Sequence, residues 1–255
     1  MARIVLKVGS AVLTEDSSLA LDRLDNLVRL ISDLSKKFEV ILVTSGAVAA
    51  GHTVLKIDKK EVANKQALAS VGQPLLMKHY QKEFELFGMN CSQMLLTADD
   101  FDSRKRTQHA KNAIEVLLGN HIVPVINEND VTATDELVFG DNDQLAAHVA
   151  VFFDADLLVI LTDIDGYYDK NPRDFDDAKL LKFVYEITEE MLCIKNSPNS
   201  KFATGGIATK LKAADFMLKN NKPMFLANGF NLENARQYLL NDNHIAGTLF
   251  KKEKN

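Results

Sequence analysis

Two lysines in unusual surroundings invite a chemical reading of this 255-residue chain. Lys7 closes an apolar run, Ile4–Lys7, where a charge is costly unless it meets a partner. Lys210 falls about one turn inside an amphipathic stretch headed by Thr204-Gly205-Gly206-Ile207-Ala208-Thr209. Glycines there let backbone N–H groups approach an anion closely, and a helix start adds partial positive charge. Thr204 and Thr209 carry hydroxyls able to cap that helix or donate to phosphate oxygen. The run is neither a Walker A loop nor a GxGxxG fingerprint. On separate loops of one sheet edge, Lys7 and Lys210 can hold opposite sides of a transferring phosphoryl group. That chemistry needs positioning and positive charge more than covalent help. The bland alternatives are a loop-to-helix turn that uses glycine for its dihedrals, and a lysine snorkelling from a strand end.

Polar clusters follow other apolar runs. Gly140-Asp141-Asn142-Asp143 heads the stretch Gln144–Phe152, and Asn127-Glu128-Asn129-Asp130 follows Ile122–Ile126. One acidic residue at a helix start is a common cap, but these clusters exceed what capping requires. Their carboxylates suit an amino group, a lysine that must be held in place, or Mg2+ met through water. Ser45-Gly46-Ala47-Val48-Ala49-Ala50-Gly51 lets a helix start approach a ligand, and it is not the GxSxG turn of a hydrolase nucleophile. Asp163-Ile164-Asp165-Gly166 fails as a calcium loop, because Leu161 holds the first ligand position and Pro172 the twelfth. The six histidines show no metal spacing. Cys91 and Cys193 lack CxxC spacing and read as small buried hydrophobes rather than a disulfide or zinc site.

The elements that must position these groups are short β-branched runs alternating with amphipathic stretches. Strands are predicted at Ile4–Lys7, Val40–Thr44, Cys91–Leu96, Ile122–Ile126, Leu157–Thr162 and Pro223–Ala227. Helices are predicted at Leu21–Leu34, Glu61–Leu68, Leu75–Phe87, His109–Leu118, Gln144–Phe152 and Ile207–Leu218. Continuous apolar strands joined by helices give an α/β fold, a three-layer αβα sandwich around an open, mostly parallel sheet. Ligands of such sheets bind beyond the carboxyl ends of the strands, where the small and charged residues gather. The pieces Asp169–Asp177 and Lys195–Phe202 read as surface loops. A net charge of −5 disfavours nucleic acid, and Arg104-Lys105-Arg106 reads as a solvated face. No signal peptide and no apolar run of about 18 residues is seen, so a cytoplasmic protein without a membrane span is expected.

Taken in order, Lys7-Val8-Gly9-Ser10, Thr44–Gly51, Asn127–Asp130, Gly140–Asp143, Leu161-Thr162-Asp163 and Thr204–Lys210 resemble the amino acid kinase family, in its glutamate 5-kinase branch. The match runs from Arg3 to about Phe250. Each motif alone is weak; the ordered set is specific. The resemblance implies ATP and Mg2+, and transfer of phosphate to the side-chain carboxylate of L-glutamate, the first step of proline biosynthesis. By motif, Ser45, Asp130 and Asn142 would hold glutamate. Lys7 and Lys210 would stabilise the moving phosphoryl group, and Asp143 would position both lysines. Thr162, Asp163 and the run Thr204, Gly205, Gly206, Ile207, Ala208, Thr209, Lys210 would hold ATP, with Lys7 reaching it from the other side. No protein ligand to a metal is assigned.

A single domain over residues 1–255 is expected, its amino-acid-binding half at about 1–154 and its nucleotide-binding half at about 155–255. Many family members continue into a C-terminal PUA domain; with this sequence ending at Asn255, a short form without it is expected. The resemblance also implies a homo-oligomer and inhibition by proline near the glutamate site. Sister kinases of N-acetylglutamate, aspartate, carbamate or UMP are the nearest alternatives. Against the first, Val8-Gly9-Ser10 stands where N-acetylglutamate kinases typically carry Gly-Gly. A catalytically silent sensor could lose Lys7, Lys210 or Asp143, and all three are present.

Overall fold

The computed structural model describes residues 1–16, 18–133, 142–172, 174–193 and 206–253, without the Cys193 side chain. Gly140, Asp141, Thr204, Gly205 and the loop Lys195–Phe202 therefore lie outside the described residues. In chain order the elements begin β1 (Ala2–Val8), α1 (Ser10–Leu13), β2 (Thr14–Glu15), β3 (Ser18–Leu19), α2 (Leu21–Leu34) and β4 (Phe38–Val43). There follow α3 (Ala47–His52), α4 (Val62–Glu85), β5 (Asn90–Leu96), α5 (Ala98–Asp102), α6 (Arg104–Gly119), β6 (Ile122–Glu128) and α7 (Asn142–Phe152). The rest is β7 (Leu157–Thr162), β8 (Phe183–Val184), α8 (Glu189–Cys193), α9 (Gly206–Lys219), β9 (Met224–Asn228), α10 (Glu233–Asn241) and β10 (Thr248–Phe250).

The main sheet has the order β5-β6-β4-β1-β7-β9-β10-β8. Every pairing in it is parallel except β10 with β9. The edge strand β8 and its neighbour β10, and the hairpin of β2 with β3, are absent from the sequence reading. At two or three residues each, they are too short to show a period of two. No helix among the described residues is long and apolar enough to cross a membrane.

Strand parity sorts the core into two layers. Ile4, Leu6 and Val8 pack with residues of α1, α2, α3, α4 and α10. Val5, Ile41, Val43 and Ile160 face the other way, onto α5, α6, α7 and α9. Lys7 has the parity of Val5, so its side chain leaves the sheet toward α7 and α9. Parity alone thus decides which helices must supply its partner.

One element departs from expectation. Glu61–Leu68 and Leu75–Phe87, read as separate helices, form the continuous 24-residue α4 with Pro74 inside it. Proline in a helix interior costs about 3 kcal/mol, and Gly72 weakens the same turn further. Tertiary contact explains why both are kept. The backbones of α3 and α4 touch where the helices cross. A Cβ on Gly72 would stand 1.8 Å from the Ala47 carbonyl oxygen, and one on Gly51 1.9 Å from that of Leu68. Gly72→Ala should therefore destabilise the protein by about 3 kcal/mol, because it is rigid backbone that must move. Urea unfolding of the variant measures this, and a change within about 0.5 kcal/mol of wild type would mean the helices can separate freely.

Candidate functional site

Beyond the carboxyl ends of β1, β4, β6 and β7, the first turn of α7 joins two groups of side chains. Asn142 and Asp143 are its first two residues and serve different neighbours.

Asp143 is fully buried, and Lys7 and Lys210 are 1% and 4% exposed. Lys7 Nζ lies 2.5 Å from Asp143 Oδ1, and Lys210 Nζ lies 3.2 Å from Oδ2. Thr209 Oγ1 donates to Oδ2 at 2.9 Å. One carboxylate thus holds a lysine from β1 and a lysine from α9 at once. Burial pushes the Asp143 carboxyl up, but the charges of Lys7 and Lys210 and the bonds from Lys7 and Thr209 outweigh it and bring it to about 2. Snorkelling is thereby excluded for Lys7, which ends against Asp143 and not in water. Among the described residues two ammonium groups meet one buried carboxylate, an arrangement that suits an incoming polyanion.

Lys210 also donates to the Gly206 carbonyl oxygen at 2.9 Å, tying its head to the first turn of α9. Gly206 itself is open: a Cβ there would meet nothing within 4 Å. Ile207 and Ala208 bury their side chains, so only their backbone can face a ligand. Gln144 Nε2 donates to the Thr209 carbonyl at 3.0 Å and fixes α9 against α7.

Asn142 serves the second group. Its Nδ2 donates to the Thr44 carbonyl at 2.6 Å, Asn127 Oδ1 at 2.8 Å and Ser45 Oγ at 3.2 Å. The network continues inward. Asn127 donates to Gln73 Oε1 at 2.9 Å, and Thr44 Oγ1 shares a 2.7 Å bond with the buried Tyr80 hydroxyl. Both Gln73 and Tyr80 lie on α4, so the helix that crosses α3 also holds the floor of the site. Sequence reading missed these two, because a glutamine beside a proline and a tyrosine in an apolar stripe carry no motif.

Ser45, Asn142 and Asp130 line one cavity of about 530 Å3, with Ser10, Gly46, Asn127 and Glu128. Gly46 has φ +102°, a conformation that glycine adopts without strain, and it turns β4 into α3 under the cavity. Asp130 stands on the turn after β6, where Thr132 and Ala133 N–H groups return to the Asn129 carbonyl. Burial pushes its carboxyl above the usual range. Such a carboxylate is stabilised by any cation that comes to it.

Thr162 and Asp163 end β7 beside β1, where Gly9 N–H donates to the Leu161 carbonyl at 3.0 Å. Thr162 is buried and bonds Asp163 at 3.0 Å, while Asp163 is exposed. Gly229, past β9, donates its N–H to the Thr162 carbonyl at 2.6 Å and has no room for a Cβ beside Val12. This third crowded glycine was also missed; it follows β9 with no charged neighbour to draw attention. Neither Thr162 nor Asp163 bonds to the Asp143 cluster among the described residues. They share its sheet edge.

Arg104, Lys105 and Arg106 are exposed, as their composition suggests. Cys91 differs from its expected burial: it is half-buried on the edge strand β5, and burial pushes its thiol up to about 11. Among the described residues no three His, Cys, Asp or Glu side chains converge as metal ligands.

The model of the amino acid kinase family matches residues 2–228. A glutamate 5-kinase of Wolinella succinogenes is 57% identical over 255 residues, covering 98% of each chain. A glutamate 5-kinase of Leishmania donovani is 56% identical over 248 residues, covering 97% of this chain and 94% of its own. Among solved structures, an isopentenyl phosphate kinase superposes with a TM-score of 0.70 at 18% identity, covering 98% of this chain and 100% of that one. That likeness concerns the fold.

Proposed function

The chain belongs to the amino acid kinase family, and from that premise we propose that it is a glutamate 5-kinase, phosphorylating the side-chain carboxylate of L-glutamate with ATP. The observation that carries the reading is the first turn of α7. There Asn142, facing the acceptor cavity, is followed directly by Asp143, which bridges the two buried lysines.

The mechanism needs no protein nucleophile. An oxygen of the acceptor carboxylate attacks the terminal phosphorus of ATP, and the bond to the β-phosphate oxygen breaks. That electron pair leaves with ADP, and no proton moves. Both partners are anions, so their approach is opposed by Coulomb repulsion. Lys7 and Lys210 offset it where charge spreads over the transferring group. Asp143 keeps the two ammonium groups at fixed separation and charged. Ser45, Asn142 and Asp130 orient the acceptor; the first turn of α9, with Thr209, and Thr162 and Asp163 on β7 receive the nucleotide. In this reading residues 1–154 form the acceptor half and 155–255 the nucleotide half.

The residues present fit a Mg2+ that travels with the nucleotide. Such an ion keeps phosphate oxygens and water as most of its ligands and needs few protein carboxylates. When bound, it neutralises phosphate charge. Proline is proposed as a competitor for the acceptor cavity, since it carries the same carboxylate and ammonium pair. A homo-oligomer and a place at the head of proline biosynthesis are proposed on family resemblance.

Incubation with ATP, Mg2+, hydroxylamine and a panel of acids tests the reading. L-Glutamate should give a hydroxamate; product from N-acetylglutamate or aspartate and none from glutamate would assign the chain to a sister activity. In the same assay Asp130→Ala should raise the KM for glutamate at least about tenfold, as expected for a lost charged hydrogen bond, and move the KM for ATP far less. The opposite pattern would show that the two sites have been exchanged.

A further inference from the structure

The acceptor cavity has a wall that the motif residues leave without a role. Lys59, on the connection from α3 to α4, and Lys65, in the first turns of α4, both line it. Neither ammonium group has an ion-pair or hydrogen-bond partner among the described residues. A free lysine on open surface means little. These two share a cavity of about 530 Å3 with the Asp130 carboxylate and form no salt bridge with it. Burial pushes the Asp130 carboxyl up. The walls are also fixed to one another, because Gln66 Nε2 on α4 donates to the Val131 carbonyl beside Asp130 at 3.2 Å.

A cavity that keeps a desolvated carboxylate and unpaired ammonium groups apart is complementary to a zwitterion. We infer that Lys59 and Lys65 receive the α-carboxylate of the acceptor, while Asp130 receives its ammonium group. The pair of walls then selects an acceptor with both charges free on one carbon, and directs the remaining side-chain carboxylate toward Ser45 and Lys7. This assignment rests on the proposed phosphorylation of glutamate and adds specificity residues to it. An N-acylated amino acid would bring no cation to Asp130 and would leave that carboxylate desolvated without a partner.

Two truncated analogues separate the walls. Glutarate keeps both carboxylates and lacks the ammonium; 4-aminobutanoate keeps the ammonium and lacks the α-carboxylate. Each is measured as a competitive inhibitor against L-glutamate in wild type, Lys59→Met, Lys65→Met, the double variant and Asp130→Asn, with thermal unfolding confirming that each variant is folded. The lysine variants should raise the glutamate KM and the glutarate Ki about tenfold or more, and leave the 4-aminobutanoate Ki within about twofold. Asp130→Asn should do the reverse, weakening 4-aminobutanoate and sparing glutarate. Lys65→Arg should recover most of the loss, since it restores the charge. Lysine variants that weaken both analogues equally, or neither, overturn the assignment while wild-type turnover of glutamate still stands. A wild-type chain inactive on glutamate overturns the underlying reading, and this inference with it.

Discussion

Asp143→Ala is expected to lower stability by about 3–5 kcal/mol and to abolish measurable turnover. The reason is that it removes a carboxylate shared by two buried ammonium groups rather than one. Lys7 and Lys210 are held in the interior by this carboxylate. Without it, each charge must be solvated by opening the layer between β1 and α9. Asp143→Asn separates charge from shape, since the amide keeps the volume and loses the anion. The pH dependence has a definite sign. The folded carboxyl lies at about 2 against an ordinary 3.8, so its contribution is complete above pH 4 and is lost as pH falls toward 2. The stability gap between wild type and Asp143→Asn should therefore be flat above pH 4 and close on further acidification. Urea titrations at several pH values measure it, and a gap that widens in acid would refute the ion-pair account.

Lys210→Ala should reduce kcat on the order of 1000-fold while the fold survives, the scale seen when one preorganised donor to a developing charge is removed. The difference from Asp143→Ala is one of charge balance. Removing Lys210 leaves Asp143 paired with Lys7 and bonded by Thr209, so no charge is orphaned. Lys210→Arg should recover little, because a planar guanidinium does not fit a slot in which the ammonium also meets the Gly206 carbonyl at 2.9 Å. Single-turnover kinetics alongside thermal unfolding make the comparison, and near-normal turnover in Lys210→Ala would remove it from the chemistry.

What the sequence made legible divides along physical lines. Features that depend on local period were readable. Apolar runs gave the central strands; the side on which Lys7 leaves the sheet became clear only from the helices packed there. Lysine at the end of a buried strand was informative because its cost had to be met elsewhere. Features that depend on contact between distant segments were not readable. Gly72 and Pro74 look like a break in a helix and become a crossing point only when α3 lies against α4. Lys59 and Lys65 carry no motif in the sequence, and the cavity they line forms only when the turn after β6 arrives beside them. Gln73 and Tyr80 reach the site from beneath, through Asn127 and Thr44, and no spacing records that path.

The glycine crossing of α3 and α4 also makes the acceptor cavity a measuring device. One end of the cavity belongs to α3, which follows Gly46, and the lysine wall belongs to α4 and the connection leading into it. Backbones already in contact at Gly51 and Gly72 cannot slide closer to follow a smaller guest. The gap between the two ends is therefore set by the scaffold. With Lys59 and Lys65 taking the α-carboxylate as proposed, an amino diacid one methylene shorter would be expected to meet the lysines or the phosphoryl group, but not both. Chain length would then be read by two rigid jaws, without any residue that touches the missing carbon.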